Sequence, residues 1–151
     1  MQKIKTFLTF NDRADEAARF YTSVFKDSSI ERTTHTPDGG VLTVEFRLEG
    51  QDFVALNGGP YFKFTEGISL SVTCEDQQEV DYYWSKLTEG GEESECGWLK
   101  DPFGVSWQIT PRQLMEAISD PDPEKSKRAI DAMMQMQKID IATIERAVEG
   151  M

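Results

Sequence analysis

The chain has 151 residues, 38% of them hydrophobic and 28% charged, which suits an ordinary globular protein with one substantial core and excludes a disordered chain. Its 16 basic and 27 acidic residues leave a net charge of −11, so phosphate backbones and anionic lipid surfaces are repelled and neither nucleic acid nor membrane is expected as a partner. Apolar runs are too short to span a bilayer, and Met1-Gln-Lys-Ile-Lys-Thr leads into a strand pattern instead of a secretory leader, which predicts a cytoplasmic protein.

Residues 3–10 alternate and are rich in β-formers, which predicts a strand. Asn11-Asp12-Arg13-Ala14-Asp15-Glu16 offers cap residues, and Ala17, Ala18, Phe20, Tyr21, Val24 and Phe25 then recur at helical spacing. Three strands are predicted next, over residues 30–34, 41–48 and 52–56. Thr36-Pro37-Asp38-Gly39-Gly40 and Glu49-Gly50-Gln51 supply the turns between them. On the middle strand Val44 and Phe46 share one face, and Thr43 and Glu45 the other.

The order then begins again. A strand over 67–73, a helix over 76–87 and the glycine stop Thr88-Glu89-Gly90-Gly91 precede strands over 93–96 and 105–110. Asp101-Pro102-Phe103-Gly104 turns the chain between Leu99 and the last of these. A shift of 62 positions lays Leu8 on Leu70, Phe10 on Val72, Phe20-Tyr21 on Tyr82-Tyr83 and Phe25 on Leu87, which points to an internal duplication. The reading is an α+β fold of two βαβββ modules, residues 3–57 and 66–110. Residues 111–151 form a helical extension of the same domain, with helices over 111–118, from an Asp122 cap with Pro123 at the first position to Gln135, and from an Asp140 cap to Gly150. Ile130, Met133, Met134, Ile141, Ile144 and Val148 give these helices apolar stripes that must cover this domain or a second subunit.

The repeat, together with Ala55-Leu56-Asn57-Gly58-Gly59-Pro60-Tyr61-Phe62-Lys63-Phe64, Cys96-Gly97-Trp98-Leu99-Lys100-Asp101, Gly104-Val105-Ser106-Trp107-Gln108-Ile109 and the tail Ser119-Asp120-Pro121-Asp122-Pro123-Glu124-Lys125, resembles the vicinal oxygen chelate fold. Within it the chain resembles the PhnB-like family, often labelled demethylubiquinone methyltransferase-like. The resemblance implies curved mixed sheets around a cavity, a homodimer, and in typical members a divalent metal held by a His on the first strand of each module and a Glu on the last. Those positions fall here near Lys5 or Thr6, near Gly67 or Ile68, at Gln108, and among Ala55, Leu56 and Asn57. None is an imidazole or a carboxylate, and neutral amides and hydroxyls hold Zn²⁺ or Ni²⁺ weakly, so no metal and no cofactor is expected.

Other chemistry fares as follows. His35, the single histidine, sits beside a turn and reads as a surface residue. Cys74 and Cys96 are too few for a disulfide framework or a zinc set and read as packed thiols. Gly58-Gly59-Pro60 is followed by aromatics and no helix, and Gly39-Gly40 lies in a hairpin, so neither matches the glycine-rich turn that methyl-donor binding uses. Methyl transfer is therefore not expected. Three functions stay open. The leading one is metal-independent binding of a small organic molecule, with Thr6, Glu45, Asn57, Tyr61, Trp98 and Gln108 as candidate ligand residues. Trp107 and Gln108 alternate on one strand, so only one of them faces a cavity, and the resemblance selects Gln108. The second is a cofactorless lyase or isomerase with Glu45 as general base. The third is a protein-interaction module using the Met-rich tail.

Overall fold

The computed structural model describes residues 2–151. The chain divides into two compact units, one running through Lys63 and the other from Phe64 onward. The first holds β1 (Thr6–Phe10), α1 (Ala14–Val24), β2 (Ser28–His35), β3 (Val41–Leu48) and β4 (Gln51–Asn57). Its sheet has the order β1-β4-β3-β2, with β1 parallel to β4 and the other pairs antiparallel. The second holds β5 (Leu70–Cys74), α2 (Gln77–Thr88), β6 (Glu92–Glu93), β7 (Trp98–Lys100) and β8 (Ser106–Pro111) in the equivalent order β5-β8-β7-β6. It continues into α3 (Arg112–Ile118), α4 (Pro123–Met133) and α5 (Ile141–Val148). Two four-stranded mixed sheets with helices make this an α+β fold built from a repeated unit.

In the first unit one helix stripe covers one sheet face. Ala14, Ala17, Ala18, Tyr21 and Val24 are buried, at the spacing that puts them in line. They meet Leu8, Val44, Phe46 and Ala55, all buried. The Tyr21 ring stacks 6.0 Å from Phe46, which stacks 5.4 Å from Phe53. In the second unit Val80, Trp84 and Leu87 of α2 play that part over Leu99, Trp107 and Ile109. Ala17, Tyr21 and Val24 thus correspond to Val80, Trp84 and Leu87, 63 positions on. The shift of 62 is one residue short for the helices. Each residue turns a helix by about 100°, so that error laid Tyr21 on Tyr83 when its counterpart is Trp84; Tyr82 is exposed.

A strand over 93–96 is likewise corrected. Pairing stops at Glu93, and β7 begins at Trp98. Between them Cys96 (φ 62) and Gly97 (φ 83) both take left-handed backbone, which ends a strand. Gly97 permits a close approach, since a Cβ there would lie 3.0 Å from the Ile109 carbonyl and 3.1 Å from Ile139.

The three C-terminal helices pack on the second unit. Leu114, Ala117, Ala129, Ile139 and Ile144 form a buried cluster, so most of the apolar stripes are consumed internally. Asp122 and Asp140 cap α4 and α5, accepting from Glu124 N and Ala142 N. The segment between those helices is tied down by Cys96 N donating to Met136 O and Gly97 N to Gln137 O, each at 2.8 Å. From α2, Gln77 Nε2 donates to Ile139 O at 3.0 Å, and Gln77 Oε1 accepts from Ile141 N at 2.8 Å. No helix among the described residues is long and apolar enough to cross a membrane.

Candidate functional site

In each unit the helix covers one sheet face, and the opposite face mixes polar and apolar side chains. In the first, the register puts Thr43, Glu45 and Arg47 of β3 beside Leu56, Val54 and Asp52 of β4 on the open face. Glu45 is thus opposite Val44 and Phe46, as its alternation predicted. Its Oε2 accepts from Arg32 Nε at 2.6 Å, and its Oε1 lies 3.8 Å from Lys5 Nζ. Arg47 and Asp52 pair at 3.3 Å beside it. The cleft here, about 200 Å³, is lined by these paired charges together with Glu31, Phe46 and Phe53.

Two other candidates in this unit have structural duties. Thr6 pairs with Phe53, whose β3 neighbour is Phe46, so it shares the face that α1 covers. Asn57 uses both ends of its amide. Its Oδ1 accepts from Ala14 N at 2.8 Å, which caps α1, and its Nδ2 donates to Val41 O at 3.1 Å. The local cap position, Arg13, makes no side-chain cap bond, and Asn11 and Asp12 do not serve either. The cap arrives from 43 residues away. Tyr61 is 88% exposed in the stretch after β4.

The second sheet arranges matters differently. On β8, Trp107 and Ile109 point into the core, at 2% and 0% exposure, while Ser106 and Gln108 take the open face. Trp98 and Lys100 of β7 share that face, opposite Gln108 and Ser106. Glu92 of β6 follows opposite Lys100. Gln108 Nε2 donates to Ser69 Oγ at 2.9 Å. At the β6–β7 end the face deepens into a cleft of about 260 Å³, lined by Glu66, Glu92, Glu93, Trp98, Lys100 and Ser106 among others. Lys100 Nζ lies 2.5 Å from Glu66 Oε1. The hydrogen bond between them raises the lysine and lowers the glutamate from their ordinary pKa values. Glu93 Oε1 accepts from Trp84 Nε1 at 2.6 Å.

Ser106 marks this cleft, while Gln113 Oε1, likewise buried without a partner, marks another between α3 and α5. Ser106 is 2% exposed, and its Oγ has no hydrogen-bond partner in the protein. Hydroxyls so placed are ordinarily satisfied. Ser106, Lys100, Glu92 and Glu66 are not among the residues expected from sequence. Strand alternation held a signal for the first, which sits two residues before Gln108 on the same face. Nothing local announces that Glu66 reaches Lys100.

Trp98 and Gln108 lie together, therefore, whereas Thr6, Glu45, Asn57 and Tyr61 belong to the other unit. Among the described residues no group of three or more His, Cys, Asp or Glu side chains could hold a metal ion. His35 is exposed at the end of β2. The positions the fold implies hold hydroxyl, amide and apolar side chains with no imidazole or carboxylate, and Asn57 Oδ1 already accepts from Ala14 N, so this donor set does not fit a divalent ion.

The repeated unit of one helix on a mixed four-stranded sheet is a fold shared with solved structures of glyoxalase/bleomycin resistance and fosfomycin resistance proteins. A glyoxalase/bleomycin resistance protein from Albidiferax ferrireducens T118 matches with a TM-score of 0.51 at 16% identity, covering 72% of this chain and 96% of that one. The genomically encoded fosfomycin resistance protein FosX from Listeria monocytogenes matches with a TM-score of 0.60 at 14% identity, covering 79% and 98%. Such identities speak for the fold alone. A putative 3-demethylubiquinone-9 3-methyltransferase, PhnB protein, from Bacillus cereus is 38% identical with a TM-score of 0.68, over 73% of this chain and 99% of that one. Residues 2–110 match the family described as 3-demethylubiquinone-9 3-methyltransferase, and the chain belongs to this PhnB-like family. Helices α3, α4 and α5 lie beyond the matched residues. A search of curated proteins finds no match.

Proposed function

We propose that this protein binds a small organic molecule without a metal ion, in the cleft on the open face of its second sheet. The observation that carries the reading is Ser106 Oγ, buried without a protein partner at a cleft that Trp98 also lines. A buried polar group left unsatisfied costs about 1–3 kcal/mol. A ligand group bonded to Ser106 would recover that cost, while the indole offers apolar area to the rest of the molecule. The neutral side chains at the implied metal positions, with Asn57 Oδ1 already accepting from Ala14 N, support independence from metal.

Methyl transfer, which the family description names, draws no support from the chain. The turns from β1 to α1 and from β5 to α2 carry no glycine, so neither offers the phosphate- and ribose-hugging turn of nucleotide-like cofactors. A lyase or isomerase using Glu45 draws little, because its oxygens are committed to Arg32 and Lys5 and would have to leave them to take a proton. An interaction module made of the tail is disfavoured by the burial of Ile139, Ile141 and Ile144. We also read the protein as a cytoplasmic homodimer, which light scattering tests against the 17.2 kDa monomer.

The test is a thermal-melting screen of small organic compounds against the wild type, Ser106→Val and Glu45→Gln. Compounds should raise Tm for the wild type and Glu45→Gln and lose their effect on Ser106→Val. Shifts of equal size in Ser106→Val would remove the site from this cleft. Stoichiometric metal retained through purification would overturn the metal-independent reading.

A further inference from the structure

Taking that cleft as the ligand site, we infer that its ligand is a protonated amine, its ammonium held between Ser106 Oγ and the Glu92 carboxylate and its hydrocarbon part against Trp98. The inference rests on the cleft reading and adds the charge of the ligand. Glu66 and Glu92 share the open side with one cation, Lys100, and Glu93, bonded to Trp84, completes the lining, so three carboxylates stand against one ammonium within a chain of net charge −11. Lys100 is the group that would attract an anion, yet Glu66 already holds its ammonium at 2.5 Å. An arriving carboxylate would have to displace Glu66 and then meet Glu92, which lies directly across from Lys100 in the β6–β7 register.

An ammonium meets Lys100 as a like charge between Glu92 and Ser106 in the register, but Glu66 already neutralises that lysine. Glu66 is occupied by Lys100 and Glu93 by Trp84, which leaves Glu92 as the carboxylate of the lining for which no hydrogen bond to the protein is seen. Ser106 Oγ accepts an N–H as readily as it donates, and a hydroxyl at 2% exposure lies in surroundings where such a bond is strong. An indole face attracts cations. The volume of about 260 Å³ lies just below the range of about 300–1,000 Å³ usual for drug-sized ligands, so the amine is small.

Isothermal titration at neutral pH with phenethylamine, 2-phenylethanol and 3-phenylpropanoate tests the charge directly, since the three share a ring and differ at the polar end. The amine should bind at one site per chain and weaken with added salt. The alcohol should bind about tenfold more weakly, the size of effect lost with one charge-assisted hydrogen bond, and the carboxylate should not bind. Ser106→Ala should weaken the amine by about tenfold without lowering the Tm of the free protein, because no internal bond is lost. Glu92→Gln should weaken the amine and leave the alcohol unchanged. Equal or tighter binding of the alcohol or the carboxylate, indifference of the amine to Glu92→Gln, or no binding of the amine overturns the inference. The cleft reading is judged separately, by whether hits from the thermal screen depend on Ser106.

Discussion

Asp101 is 3% exposed and yet bears a carboxylate, which is affordable only because three donors surround it. Its Oδ1 accepts from Phe103 N at 2.8 Å and Val105 N at 3.1 Å, and its Oδ2 from Trp107 Nε1 at 2.9 Å. It closes the turn before β8 and fixes the core tryptophan, so that Ser106 and Gln108 emerge on the other face. Asp101→Ala should lower the unfolding free energy by about 3 kcal/mol, as expected when several bonds to a charged group are lost. Urea denaturation at unchanged slope would show it. The sequence displayed the Asp-Pro-Phe-Gly turn plainly but gave no hint of the Trp107 bond, which exists only once the hairpin is formed. The cysteines make a second case. Burial first, and then Glu79 and Asp76, push the Cys74 thiol up to about 12, so it stays protonated and hidden. Cys96 is half-buried and is also raised, by burial and by Glu95. A thiol reagent on the native protein at neutral pH should label Cys96 slowly and spare Cys74 until the protein unfolds; mass spectrometry of the labelled peptides reads this out.

At the scale of elements, the two modules start their helices in different ways. For α2 the cap is local, with Asp76 accepting from Glu79 N at 2.9 Å and Glu79 reaching back to Glu75 N at 2.7 Å. For α1 it is Asn57, delivered by β4, and the same amide holds the first residue of β3. Asp76→Ala should cost about 1 kcal/mol, the usual value of an N-cap. Asn57→Ala should cost more, about 2 kcal/mol, because Val41 O loses its donor as well. Thermal unfolding of both variants makes the comparison. Local signals made the caps of α4 and α5 readable in advance. The α1 cap was not, because its donor and acceptor are neighbours only after β1 and β4 pair. It also gives Asn57, picked for a ligand role, a structural duty at each end of its amide.

For the molecule as a whole, the C-terminal helices are fastened to the second unit at a few points, among them Gln77. Gln77→Ala removes two bonds to the segment before α5 and should speed hydrogen exchange at Ile139, Ile141, Cys96 and Gly97 while leaving the first unit unchanged. Asp81 reinforces the same junction and gives it a pH dependence. The Gln77 hydrogen bond foremost, and then Lys138, hold its pKa below the ordinary aspartate value. A folded value below the unfolded one means that the contribution is complete above the ordinary carboxylate range and fades as the pH falls through the folded value. Exchange at Ile139 and Ile141 should therefore rise in acid, and Asp81→Asn should show that faster exchange already at neutral pH.

Periodicity, turn residues and capping aspartates determined the repeated order of strands and helices, the three helices at the end, and the split of Glu45 from Val44 and Phe46, because each depends on neighbours along the chain. Where side chains from distant strands meet was decided by register and packing. That is why Asn57 became a cap, Thr6 turned toward α1, and Ser106 came to lie buried beside Lys100 and Glu66. A strand's face follows from parity, but the identity of the residues across from it follows only from the pairing of strands many residues apart.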